Sequence, residues 1–229
     1  MAKLPIGIQD FSMLREDGYT YVDKTEQIHR LIHTGPILFL SRPRRFGKSL
    51  LLTTLAVLFR GRQPLFEGLW IENQHDWEPR PVLLLNFNDI NTVDMPLADA
   101  LTTYMDDLAE AQGISLKSAD YKGKFGEFIE RLATKNSENP QRIVLLVDEY
   151  DKPITDNLDD SELVQANVRT LKAFYSTLKS SVSTHLHFTL ISGVSKYGKV
   201  SIFSDLNNLL DITLDPRFAT LLGYTEDEL

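Results

Sequence analysis

The chain has 229 residues, 42% of them hydrophobic and 24% charged, which is the composition of an ordinary globular domain. Its net charge of −8 excludes a basic surface over the whole fold, so any contact with nucleic acid would have to be local. The lack of cysteine excludes disulfides and thiolate metal sites, and the chain has neither a signal peptide nor a membrane span, so we expect a cytoplasmic protein.

Short apolar runs alternate along the chain with segments of helical periodicity. In chain order they predict a helix at 23–35, a strand at 36–41, a helix at 48–61, a strand at 81–87, helices at 95–113 and 124–135, a strand at 142–150, a helix at 161–181, and strands at 187–193 and 209–214. The first helix would begin with a capping box of Asp23 and Glu26. This alternation predicts an α/β fold with a mainly parallel sheet.

The last residues predict one more helix start. Thr225 and Glu228 have the spacing of a capping box, and the sequence stops within the first turn that the box would open. We therefore expect these 229 residues to be an N-terminal part of a longer protein.

A glycine-lysine-serine sequence lies where the strand at 36–41 leads into the helix at 48–61. Gly47, Lys48 and Ser49 match the end of the phosphate-binding pattern G-x-x-x-x-G-K-[ST], with Arg42 in place of the first glycine. Because Pro43 favours an extended Arg42, we expect the turn to be reshaped rather than lost. The residues predicted to contact a nucleotide are Arg42, Pro43, Arg44, Arg45, Phe46, Gly47, Lys48, Ser49 and Leu50. A basic surface turn before an ordinary helix is the alternative.

Two acids follow five aliphatic residues at the end of the strongest predicted strand. Such carboxylates lie at the ligand-binding edge of an open α/β sheet. Asp148 would hold Mg²⁺ together with Ser49, and Glu149 would act as general base on the attacking water, while Lys48 neutralises phosphate charge. Ser192 ends the next strand and would contact the γ-phosphate or the water, with Ser195 and Lys196 just beyond it. A solvated strand end and plain turn residues are the alternatives.

Five segments together resemble the prokaryotic AAA-ATPase-like family of P-loop ATPases; they are 21–25, 39–55, 144–154, 191–213 and 221–229. The resemblance implies a three-layer α/β/α P-loop fold of the additional-strand, catalytic-glutamate type, with a five-stranded sheet of order 5-1-4-3-2. It implies one domain over residues 1–229 with an N-terminal extension of about 34 residues, commonly followed by a nuclease-like domain of the PD-(D/E)xK type. In that family the Walker A loop maps onto 42–49, including the arginine, and the Walker B acids map onto Asp148 and Glu149.

The resulting expectation is ATP binding and Mg²⁺-dependent ATP hydrolysis, coupled to a nuclease-like domain or a partner. A nucleotide-binding module without turnover and an interaction scaffold with a relic loop are the alternatives. No Asn-Lys-x-Asp guanine-reading motif is present, which favours ATP. Nucleic-acid binding stays open because five arginines cluster in sequence, namely Arg42, Arg44, Arg45, Arg60 and Arg62. His29 and His33 have metal-pair spacing but no third ligand near them in sequence, so a helix face is the preferred interpretation.

Overall fold

A computed structural model describes residues 3–92, 95–135, 138–181, 184–196 and 199–228; the others, including residues 1, 2 and 229 of the predicted domain, lie outside the described residues. The strands are β1 (Ile37–Ser41), β2 (Val82–Asn86), β3 (Ile143–Asp148), β4 (Leu186–Gly193) and β5 (Leu210–Asp211). The helices are α1 (Phe11–Glu16), α2 (Thr25–Ile32), α3 (Lys48–Phe59), α4 (Leu97–Ala111), α5 (Tyr121–Ala133), α6 (Lys152–Thr155), α7 (Ser161–Ser176), α8 (Leu178–Ser181) and α9 (Lys199–Ile202). Within these ranges no helix is long and apolar enough to cross a membrane.

The strands form one sheet of order β2-β3-β4-β1-β5, and every pair in it is parallel. Read from the opposite edge, this is the predicted order 5-1-4-3-2, which is therefore confirmed. β1 pairs with β4 up to Ser41 and Gly193, and β3 pairs with the other side of β4. Because the strands are parallel, the carboxyl ends of β1, β3 and β4 meet at one edge of the sheet.

Helices cover both faces of the sheet, as the α/β prediction requires. On β1 and β3, Phe39 and Leu145 point into a core with helices α4 to α9, whereas Leu38 and Leu146 point into a core with α1 to α3. Strands β1 and β3 are buried along their whole length, so their apolar runs have no polar face. The result is three layers, helix on sheet on helix.

The first predicted helix starts differently from the expectation. The Asp23–Glu26 capping box is wrong, because α2 begins at Thr25 after Lys24, which makes no side-chain cap. Asp23 instead accepts hydrogen bonds from the N–H and the hydroxyl of Thr25, at 2.8 and 2.6 Å. A short acid one residue before the cap position thus closes a local Asx-type turn and does not cap the helix.

The last strand is much shorter than the predicted 209–214. Side chains take over the ladder after Leu210–Asp211: the Thr213 N–H donates to Asp211 Oδ1 at 2.9 Å, and the Ser41 N–H donates to the Thr213 hydroxyl at 3.1 Å. Leu214 is 86% exposed, so the apolar pattern there does not indicate burial.

The structure differs from the prediction in the helix at 161–181 and agrees with it in part at the Thr225–Glu228 capping box. The predicted helix at 161–181 breaks at Thr177 into α7 and α8. At the far end, the Thr225 N–H donates to Glu228 Oε2 at 2.8 Å, which is the back-reaching half of the predicted capping box. The same Glu228 carboxylate pairs with the buried Lys24 ammonium at 2.6 Å, and together these two contacts lower its pKa, Lys24 contributing most.

Candidate functional site

The loop from β1 to α3 turns through two residues with positive φ. Gly47 has φ +89° and is the N-terminal cap residue of α3, where a side chain would be strained. Arg45 has φ +63° although it carries a side chain. The backbone N–H groups of the first turn of α3 follow directly, so the loop presents a helix start of the kind that binds anions.

Arg42 occupies the place of the first glycine without the backbone conformation of a glycine. Its φ is not among the positive values of the described residues. Its N–H donates to the Gly193 carbonyl at 3.1 Å, and its guanidinium donates to the carbonyls of Ser41, at 3.1 Å, and Thr213. The expected reshaping of the loop's first residue is what the structure has, because Arg42 continues the β1–β4 ladder.

The other loop side chains point to different surroundings. Arg44 lies 3.7 Å from the Asp156 carboxylate, and Pro43 and Arg45 are exposed. Phe46 is 42% exposed. Leu50 is half-buried in the first turn of α3 and packs with the core on the α1–α3 face of the sheet.

Lys48 is buried at the centre of this arrangement, with 5% of its surface exposed. Its ammonium donates to the carbonyls of Arg42 and Pro43, both at 3.0 Å, so the loop wraps around it. Burial lowers the pKa of Lys48, while the carboxylates of Asp148, Glu149 and Asp151 act in the opposite direction. Lys48 therefore lies within electrostatic reach of the acids at the end of β3.

Two hydrogen bonds join the predicted site residues Ser49, Asp148 and Ser192, which come from three different parts of the sequence. The Ser49 hydroxyl donates to Asp148 Oδ2 at 2.6 Å, and the Ser192 hydroxyl donates to Asp148 Oδ1 at 2.8 Å. Asp148 and Ser192 are 5% and 1% exposed. Residues 99 and 44 positions apart in sequence thus meet at one carboxylate.

Glu149 lies beside this chain in a strained backbone conformation. Its φ of +52° is uncommon for a residue with a side chain and costs on the order of 1–3 kcal/mol. The residue is half-buried, and its carboxylate is near enough to influence Lys48. No hydrogen bond or ion pair to this carboxylate occurs among the described residues.

Asp151, a site residue that was not predicted from the sequence, is 1% exposed. Its carboxylate accepts hydrogen bonds from the backbone of Val194 (3.1 Å) and from both the N–H (2.7 Å) and the hydroxyl (2.9 Å) of Ser195. The Tyr150 hydroxyl donates to the Ser195 carbonyl at 3.1 Å, and burial raises the pKa of this phenol. These contacts clamp the loop after β4 onto the turn after β3. The only sequence signal was that Asp151 closes the acid-rich DEYD segment.

The two polar residues just beyond Ser192 contact other acids and not Asp148. Ser195 faces Asp151, and the Lys196 ammonium lies 2.9 Å from Asp211. Burial would raise the pKa of Asp211, but hydrogen bonds from Lys199, Thr213 and Lys196 lower it. Of the three polar candidates after β4, Ser192 is the one that touches Asp148.

The oxygen ligands available here fit Mg²⁺. Among the described residues no cluster of three or more His, Cys, Asp or Glu side chains occurs. Mg²⁺ is typically held by one or two carboxylates together with waters and substrate phosphates, so one hydroxyl and one carboxylate are a sufficient protein contribution. Ser49 and Asp148 supply these two groups side by side. The His29 and His33 rings are 4.4 Å apart on α2, and His29 packs edge-on against Trp70.

Comparison with known proteins gives two matches. An uncharacterized protein from the vnfD 5′ region of Azotobacter chroococcum mcd 1 is 46% identical over 234 residues, which cover 99% of this chain and 44% of that protein. The chain thus spans less than half the length of this relative. The predicted AAA-ATPase family matches residues 5–203, a range that contains the phosphate loop, the β3 acids and Ser192. The chain therefore belongs to the predicted AAA-ATPase family.

Proposed function

We propose that the protein binds ATP at the loop between β1 and α3 and hydrolyses it to ADP and phosphate in a Mg²⁺-dependent reaction. The observation that carries this proposal is the meeting of Ser49, Asp148 and Ser192 in one hydrogen-bond chain beside Lys48. Parallel α/β layers, the sheet order and the family support a P-loop ATPase of the additional-strand, catalytic-glutamate type.

Phosphate binding would use the loop and the helix that follows it. The backbone N–H groups from Gly47 to Leu50 and the positive end of α3 attract the anion. Lys48 would exchange its two loop carbonyls for phosphate oxygens, which keeps the buried ammonium hydrogen-bonded in both states. Arg42, Arg44 and Arg45 add positive charge at the same end of α3, with Pro43 and Phe46 between them.

Ser49 and Asp148 are the residues that would hold Mg²⁺. Mg²⁺, when bound, supplies positive charge that offsets the charge developing on the phosphate oxygens. The 2.6 Å hydrogen bond between the two residues supports this assignment because it brings their oxygens together, and Ser192 orients Asp148 further.

Glu149 would act as the general base. In hydrolysis the oxygen of water forms a bond to the γ-phosphorus, the bond from that phosphorus to the bridging oxygen breaks, and ADP leaves with the electron pair. The proton lost by the water passes to the Glu149 carboxylate. Its strained φ supports a functional role, because such strain persists only where the surrounding structure imposes it and is concentrated at functional sites.

We also propose that hydrolysis drives a further domain or a partner, for which a nuclease-like domain is the expectation from the family resemblance, and that the protein acts in the cytosol. The greater length of the relative supports a further domain, and the lack of cysteine is compatible with a reducing compartment.

Phosphate release and nucleotide binding together test the hydrolysis proposal. We expect the wild type to release phosphate from ATP with Mg²⁺ and not with EDTA. Glu149→Gln should bind ATP with wild-type affinity but lose at least about a hundredfold in rate, since a positioned base contributes 10²–10⁴-fold. Lys48→Ala should bind ATP weakly.

Asp159→Asn, an exposed change outside the site, is the matched control and should retain wild-type turnover. A wild type that binds ATP with Mg²⁺ and never releases phosphate would instead support a nucleotide-binding module without turnover.

A further inference from the structure

Phe46 is exceptional among the phenylalanines of this chain. Every other phenylalanine is buried, at 5% exposure or less, whereas Phe46 is 42% exposed. It immediately precedes Gly47, Lys48 and Ser49 in the loop. A large apolar side chain that stays in water at this place is a candidate for contact with a ligand.

A turn near the end of the chain lies against this ring. A Cβ built on Gly223 would lie 3.3 Å from Phe46 Cε1, so the backbone of the turn touches the ring edge. On the neighbouring residues, Leu222 Cδ2 lies 3.9 Å from the position of a Cβ on Gly47. Gly223 has φ +77°, and Tyr224, which follows it, is 60% exposed. Phe46 and the turn of Leu222 and Gly223 beside it, with the exposed Tyr224 next in sequence, are here called the aromatic wall.

A nucleoside triphosphate has two chemically different ends. Its phosphates are anionic and are matched by the N–H groups of α3, Lys48 and the loop arginines. Its base is flat and uncharged, and in proteins such a ring binds against apolar and aromatic side chains. The aromatic wall adjoins the phosphate loop, and its exposed aromatic rings offer such a surface.

We propose that the aromatic wall is the base-binding subsite of the nucleotide site, with Phe46 as the stacking residue and Tyr224 as its second aromatic partner. This inference rests on the proposed function, because it takes the phosphates to be at the loop. Stacking depends on the π-face that every base has, so Phe46 contributes to ATP and GTP binding alike. Adenine specificity, where present, then has to come from other groups.

Two triphosphate ligands, one with a nucleoside and one without, separate this role from phosphate binding. Titration calorimetry of the full chain with Mg²⁺ and either AMP-PNP or inorganic tripolyphosphate measures each affinity. Phe46→Ala should weaken AMP-PNP binding about tenfold, which is within the range for loss of one base stack, and should change tripolyphosphate binding less than twofold. Phe46→Trp should restore AMP-PNP affinity, and Tyr224→Ala should act in the same direction as Phe46→Ala.

Ile6→Ala, which trims a residue that is 87% exposed, is the matched control and should alter neither affinity. Equal losses for both ligands in Phe46→Ala would mean that the ring only shapes the loop, and unchanged affinities would mean that it does not touch the nucleotide. Unchanged affinities with a loss of self-association in sedimentation would assign Phe46 to a protein contact. Each of these results overturns the subsite while leaving the proposed function of the wild type standing. A wild type that binds neither ligand overturns the proposed function itself.

Discussion

Lys48 carries its charge in a place that favours the neutral amine. Burial lowers its pKa, although three nearby carboxylates oppose the shift. A lowered pKa in a basic group means that the protonated form is less favourable in the folded than in the unfolded chain. The Lys48 ammonium, to which we assign phosphate binding, therefore reduces the stability of the protein.

Lys48→Met should raise the melting temperature at neutral pH while weakening ATP binding. Methionine keeps the length and the apolar stem and removes the buried charge. In a chain of this size each kcal/mol of stability corresponds to about 2–4 °C, so differential scanning calorimetry can resolve a gain of that order.

The pH dependence of this gain has a defined sign. The penalty of the ammonium is fully present below the lowered pKa of the folded protein and fades as the pH rises from there to the ordinary lysine value. The difference between variant and wild type should therefore shrink as the pH is raised. A Lys48→Met protein that melts below the wild type at neutral pH would show that the loop hydrogen bonds of the ammonium outweigh its burial.

At the scale of secondary structure, the end of β4 is held from two sides. The Gly193 carbonyl accepts from Arg42 in the phosphate loop, and the residues after it are tied to Asp151 and Tyr150. A Cβ on Gly193 would lie 2.5 Å from the Tyr150 ring and 2.7 Å from the Asp151 carboxylate. These contacts leave room for glycine alone.

Gly193→Ala should destabilise the fold by about 1–3 kcal/mol, which is the usual range for overpacking a tight interior. Urea unfolding measures the change. Gly35→Ala is the matched control, because its added methyl would meet only Leu38 Cδ2 at 3.7 Å, an ordinary contact. Equal stability of the two variants would mean that the β3 turn yields easily.

At the scale of the whole molecule, the arginines that are close in sequence separate into two groups. α3 has 12 residues and is about 18 Å long, so Arg60 and Arg62 lie at the opposite end of the helix from Arg42, Arg44 and Arg45. Arg44 lies near Asp156 and Arg62 near Glu16. The five residues therefore do not form one basic surface. The net charge of the whole chain is −8.

Binding of duplex DNA to these 229 residues should be weak and should depend little on salt. Because the logarithm of the affinity changes by about 0.9 per phosphate contacted for each logarithmic unit of salt, we expect a slope no steeper than about −3. Fluorescence anisotropy between low and physiological salt measures it. A slope of −6 or steeper would require a basic surface that the described residues do not show.

Features with a local signal could be predicted from sequence. The Asp148–Glu149 pair stands at the end of β3, and Lys48 opens the helix that follows β1, so this context is visible within about ten residues. The order of the strands has no such local signal and came from the family resemblance. Hydrogen bonds over long sequence separations were missed for the same reason: Asp151 binds residues 43 and 44 positions away.

The errors have a common physical cause as well. Asp23 and Thr213 satisfy backbone groups with their side chains, so that hydrogen bonds from side chains replace a predicted helix cap and the end of a predicted strand. An apolar pattern or a cap spacing does not indicate which polar side chain will hydrogen-bond to a given backbone group. The exposure of Phe46 was equally invisible, because its neighbours in space come from residues 222 and 223.

The hydrogen bond from Arg42 to Gly193 has a mechanical consequence. It joins Arg42, which follows the last paired residue of β1, to Gly193, the last paired residue of β4, so the first peptide of the loop moves with the strands. A twist of β4 relative to β1 displaces that peptide in the same direction. A ligand that moves the loop displaces β4 in return. A pattern that requires glycine at position 42 expects a flexible backbone there, whereas in this chain the backbone of Arg42 is fixed to β4 by a hydrogen bond.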